Sequence, residues 1–137
     1  MQNGGLVVET FEYLLAPLLA NLRRGTKALV VTDNAHDARV WQVVMSTLTE
    51  LGADAVLSLF DPRPADCYDP SQAVSEAMAR VDLNILLAST GMLHCPANHH
   101  AMEVGVPVIC MDAGMTFEMF QSGAVTEERN IVESVQP

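Results

Sequence analysis

Four side chains able to move a proton or bind a metal fall within seven consecutive positions: His94, Cys95, His99 and His100. Histidine has the ordinary pKa closest to neutrality, so a loop histidine is the first place to look for acid/base work. The stretch before it supports that choice. Leu83 to Leu87 is an apolar run of strand length that breaks into Ala88-Ser89-Thr90-Gly91. A buried strand that empties into a polar, glycine-containing loop ahead of a helix is how an open parallel sheet builds its binding edge. His94 is therefore the candidate catalytic residue. Ser89, Thr90, Met92 and Leu93 are the candidate contacts to a small-molecule substrate. Asp112, leaving the next strand, could fix the tautomer of the imidazole.

A closed metal centre needs more than this cluster offers. His94 and His99, or Cys95 and His99, have spacings that zinc sites use, but no three- or four-ligand signature is complete. His99 and His100 are neighbours on a helix and diverge by about 100°. At most one of them can face the same ion as His94, so no metal is expected to bind tightly to this chain alone. Cys95 precedes Pro96 near a helix start, where a thiol pKa can fall, but an unreactive thiol is the favoured reading. Asp33, Asn34, His36 and Asp37 suggest the acidic pocket of a phosphoryl-accepting receiver. That chemistry needs a lysine near a late strand, and the single lysine, Lys27, stands before the first. Helix capping accounts for these residues instead. No GxGxxG, P-loop or GxSxG is present.

The elements that must position these residues follow from periodicity. Met1 to Val8 has no pattern. Glu9 to Arg24 predicts a helix with Phe11, Leu14, Leu15, Leu18, Leu19 and Leu22 on one broad face, bent or divided at Pro17. Lys27 to Thr32 reads as a strand covered on both faces. Asp33 or Asn34 can cap the next helix, which runs to about Leu51 with Val40, Val44, Leu48 and Leu51 in one stripe and Gly52 as its stop. Asp54 to Phe60 is the second strand, followed by a proline-rich loop from Asp61 to Asp69. Asp69-Pro70-Ser71-Gln72 reads as a capped start of a helix that buries Val74, Met78 and Val81. After the strand Leu83 to Leu87 come a helix from Pro96 to Val104, stopped at Gly105, and a strand from Pro107 to Cys110. Met111 to Gly114 is its exit loop. Thr116 can cap a short helix ending at Gly123, and residues 125–137 form an acidic tail or helix.

Strands alternating with helices predict a single α/β domain over residues 1–137: a small Rossmann-like, three-layer unit with a four-stranded, mostly parallel sheet. The exits Asp33–Asp37, Asp61–Arg63, Ala88–Cys95 and Met111–Met115 are then neighbours at one edge.

Composition limits the function classes. Half of the 137 residues are apolar and 18% are charged, as in globular domains. The net charge is −10, and no basic patch can be assembled, which excludes nucleic acid as a partner. Leu14 to Ala20 is too short to cross a bilayer and lacks the cationic start of a signal peptide. Three cysteines without framework spacing suit a reducing compartment, so the expected location is cytoplasmic. A mean hydropathy of +0.22 and eight methionines predict self-association into a dimer or larger assembly.

The strand KALVVT, then Ala79-Arg80-Val81-Asp82-Leu83, Met92-Leu93-His94-Cys95-Pro96 and Gly105-Val106-Pro107-Val108-Ile109 carry a resemblance. From Lys27 to Thr126, about three quarters of the chain, the sequence resembles the N-terminal domain of 2,5-dihydroxypyridine 5,6-dioxygenase and its relatives, the aminopeptidase T (leucyl aminopeptidase) metallopeptidases. Where the dioxygenase has Leu-His-Ser-Pro, this sequence has Leu93-His94-Cys95-Pro96. The resemblance implies a substrate-facing His94. It also implies a divalent metal, iron or zinc, held by a partner chain or a further domain, with no cofactor in this chain. The expectation is a non-metal subunit or domain of a metal-dependent enzyme. The alternative is a non-catalytic small-molecule-binding or assembly module.

Overall fold

Lys27–Asp33 forms strand β1, and its apolar, β-branched interior explains its central place. Every residue from Ala28 to Asp33 is buried. In the computed structural model, which describes residues 22–111, β1 pairs in parallel with β2 (Asp54–Phe60) on one side and with β3 (Leu83–Leu86) on the other. Val30 thus stands between Leu57 and Ile85. Strand β4 (Val108–Cys110) pairs in parallel with β3, giving the order β2-β1-β3-β4. The four-stranded sheet is all-parallel among the described residues, and the α/β class is as the sequence predicts.

Strand order dictates where the helices lie. The chain steps from β1 to β2 in one direction, then reverses across β1 to reach β3 and β4. Right-handed crossovers therefore place the first helix on one face and the next two on the other. Helix α1 (Ala38–Glu50) buries Val40, Val44 and Leu48 against Ala28, Val30, Ile85 and Ile109. Helices α2 (Gln72–Met78) and α3 (Pro96–Glu103) cover the opposite face, where Met78, Ala97 and Ala101 meet Leu29, Val31, Leu86 and Val108. Three layers result. Gly52 and Gly105 close α1 and α3 in the left-handed region, at φ +87° and φ +95°.

Two expected caps are displaced. Asp37, not Asp33 or Asn34, caps α1, accepting from the Arg39 N–H at 3.0 Å. Asp33 is still strand, and its carboxylate is engaged elsewhere. Ser71 occupies the cap of α2 without a side-chain bond, while Asp69 accepts from Ala97 N–H at the start of α3. The predicted helix from Glu9 to Arg24 lies outside the described residues except for its last positions, which approach a turn at Arg24-Gly25. Asp112, the rest of its exit loop, the helix ending at Gly123 and residues 125–137 also lie outside them.

The loop from Asp61 to Asp69 carries the chain from the exit of β2 to that of β3. Gly91 N–H donates to Asp66 Oδ1 at 2.7 Å, and Cys67 N–H donates to Gly91 O at 2.8 Å. Holding that reciprocal contact places the exposed Cys67 at φ +70°, which costs a non-glycine residue roughly 1–2 kcal/mol. Glycine would remove that cost and add roughly 0.5–1 kcal/mol of chain entropy to lose. Cys67→Gly should therefore melt at or slightly above the wild-type temperature. A clear drop in thermal unfolding would show that the thiol has an unseen packing task.

Candidate functional site

In an open parallel sheet the ligand crevice opens where the winding reverses, outside the carboxyl ends of the strands. Here that point lies between β1 and β3, and Asp33 closes it. Its side chain is 1% exposed. Oδ2 accepts from both the backbone N–H and the hydroxyl of Ser89 at 2.8 Å, and Oδ1 accepts from Ala35 N–H at 2.9 Å. On the other face of β1, the Thr32 hydroxyl donates to Leu87 O at 3.1 Å. Asn34 Nδ2 donates to Asp61 Oδ1 at 3.0 Å, tying the exits of β1 and β2. The three described exits are thus joined by side-chain bonds. Because the Ser89 hydroxyl proton is directed at Asp33, the hydroxyl faces any ligand as an acceptor.

His36 stands one turn from Asp33 and is 8% exposed. Its Nδ1 lies 3.3 Å from Asp37 O, and a carbonyl only accepts, so that nitrogen carries the proton. Nε2 is buried with no hydrogen-bond partner among the described residues.

The predicted substrate contacts separate. Ser89 and Thr90 are half-buried at the edge, and Leu93 is half-buried against the α2–α3 core. Met92 is wholly buried in that core, near Met78 and Cys95, and has no surface to offer a ligand in this conformation. Asp112 lies outside the described residues. Gly91 is not in the left-handed region. A Cβ there would meet Asp66 Oδ1 at 3.4 Å, an ordinary contact.

His94 is exposed, and its ring lies 5.9 Å from that of His99, tilted by 33°. With Cys95 at the cap of α3, His94 is the residue before the cap and His99 is the fourth helical residue. These are the positions that a hydrophobic staple joins. His100 turns away, as the helical divergence requires, and lines a groove of about 410 Å³ between α2 and α3 with Asp69, Glu76, Arg80 and Pro96.

Cys95 is inert. Its side chain is wholly buried, and desolvation raises its pKa from 9.0 to about 11. The nearby Asp69 adds to the rise, and backbone N–H groups of Asn98 and Ala97 oppose it. A thiol reagent at neutral pH should label the exposed Cys67 and spare Cys95 until the protein unfolds. The sign of the pH effect follows. Between pH 9 and about 11 the unfolded thiol loses its proton while the folded one keeps it, so folding stability falls with rising pH. The slope from this group is at most about 1.4 kcal/mol per pH unit. Denaturation midpoints of Cys95→Ala against wild type across that window measure it.

Asp33, Asn34 and His36, which the sequence assigns to helix capping, instead contribute the Asp33–Ser89 and Asn34–Asp61 bonds and a buried imidazole at this edge. A strand ending in aspartate is their only local signal. Among the described residues no three His, Cys, Asp or Glu side chains stand together to hold an ion.

No protein-family model matches the sequence, and no curated protein matches it. Among solved structures, 2,5-dihydroxypyridine dioxygenase from Pseudomonas putida KT2440 matches with a TM-score of 0.66 and 17% identity over 80% of this chain. The match covers 34% of the dioxygenase, so this chain spans about a third of its length. No counterpart on the aminopeptidase T side is found. At that identity the likeness establishes the fold: this chain shares the α/β architecture of one part of the dioxygenase.

Proposed function

We propose that this chain is the substrate-facing, non-metal part of a metal-dependent enzyme similar to 2,5-dihydroxypyridine dioxygenase. The observation that carries the reading is the superposition of most of this chain on a third of that protein. In this arrangement the Ser89 hydroxyl accepts a hydrogen bond from a small polar substrate, with Thr90 and Leu93 beside it. His94, exposed after the exit of β3, takes or returns a proton. A divalent metal, iron or zinc, would belong to a partner chain or a further domain. It would supply Lewis-acid chemistry from outside this chain.

A second reading, a small-molecule-binding or assembly module, is favoured by one observation. His94 and Ser89 both have structural partners, His99 and Asp33. Exposed Val56, Leu59, Tyr68 and Val104 are consistent with self-association in either case. Purification from the native source separates the two. A co-purifying larger chain that carries stoichiometric iron or zinc is the expected result. A self-associated chain with no such partner, shown by sedimentation, would favour the assembly module and defeat the enzyme reading.

A further inference from the structure

We infer that His94 and His99 form an exchangeable two-histidine site for an imidazole-preferring transition metal such as Ni²⁺, Cu²⁺ or Zn²⁺. The inference goes beyond the proposed function, because it concerns binding by this chain alone and assigns the ion no catalytic step. The helix start already brings the two rings together at staple positions.

The spacing is close to what a shared ion needs once each ring turns a nitrogen towards it. A metal–nitrogen bond of about 2.0–2.1 Å, plus about 1.1 Å from nitrogen to ring centre, puts each centroid about 3.2 Å from a shared ion. At the observed 5.9 Å the two ligand directions then open by about 135°. A tetrahedral angle needs about 5.2 Å, so exposed side chains have to close by only about 0.7 Å. His100 faces the α2–α3 groove and cannot join them. No third His, Cys, Asp or Glu among the described residues stands with the pair. Water, or a donor from a ligand, completes the coordination. Such a site binds weakly and exchanges readily, unlike a closed structural one. Where His94 moves protons as proposed, a bound ion takes the lone pair it uses, so the same metals should inhibit.

The test titrates the full chain with Ni²⁺ and with Zn²⁺, followed by calorimetry and by the histidine C–H resonances. Ca²⁺, which selects oxygen donors, reports binding to the carboxylates alone. The expected result is one saturable site that shifts the His94 and His99 signals. His94→Ala and His99→Ala should each weaken it at least about tenfold, equivalent to about 1.4 kcal/mol, while His100→Ala leaves it intact. Both rings are exposed, so the variants should keep the wild-type melting curve, which is checked alongside. The inference fails if His99→Ala weakens binding no more than His100→Ala does. It also fails if Ca²⁺ competes equally, or if the wild type shows no saturable binding. Loss of binding in His94→Ala or His99→Ala with an altered fold is resolved by His94→Gln and His99→Gln, which must also weaken binding.

Discussion

His94→Ala should lower turnover of the assembled enzyme by roughly 10²–10⁴-fold, the usual range for a lost acid/base residue. Folding should change little, because the side chain is exposed and contributes no buried area to either core cluster. The His99 ring beside it makes a contact between exposed groups at a helix start. Losing it should cost well under the roughly 1–3 kcal/mol expected when a buried polar group is stranded. His99→Ala is the companion variant. It removes the same contact while leaving the His94 imidazole in place, so it should retain most of the turnover. Paired melting and activity measurements decide the case. A drop in stability with per-molecule activity intact would end the catalytic role of His94. Equal losses of turnover in the two variants would mean that the helix start, not the imidazole, matters.

How much of this was legible in the sequence depends on the range of each signal. The apolar run from Lys27 to Thr32 reads as a two-face-covered strand because its neighbours are set by its own composition, and β1 lies there. Val40, Val44 and Leu48 recur at helical spacing and are buried together. Gly52 and Gly105 mark helix ends because only glycine takes φ near +90° without cost. Partners far apart in sequence were not legible. Asp33 looks like a helix cap until the order β2-β1-β3-β4 brings Ser89, 56 residues away, against it. Asp69 looks like the cap of the helix it precedes. The crossing of the chain instead sets it against Ala97 N–H, 28 residues on. Met92 follows a polar loop and reads as a surface contact, yet the packing of α2 and α3 encloses it. Local pattern reports local backbone, and the reversal of winding that creates the crevice is not a local property.

Asp33→Ala should therefore be the most destabilising single change at the sheet edge, by about 2–4 kcal/mol. The carboxylate accepts three bonds from two segments, and truncation strands the Ser89 N–H, the Ser89 hydroxyl and the Ala35 N–H together. The loss stays below a simple sum because Ala35 is exposed and Ser89 is half-buried, so water can replace part of it. Asp33→Asn should fall between. An amide has one acceptor oxygen, and in either orientation its NH₂ faces a backbone N–H, Ala35 or Ser89. Ser89→Ala loses only the hydroxyl bond and should cost about 1–2 kcal/mol. Urea midpoints at constant m-value measure all three. The double variant should cost less than the sum of the single changes, because both remove the same bond; a coupling of about 0.5–3 kcal/mol is the range for residues in one network. Additive losses, or an Asp33→Ala variant as stable as Ser89→Ala, would mean that the Asp33–Ser89 contact does not hold the β1 and β3 exits together. Where the coupling is found, the Ser89 hydroxyl has its proton fixed in place. A ligand entering the crevice then has to bring a donor of its own, which sets the polarity of what this edge can accept.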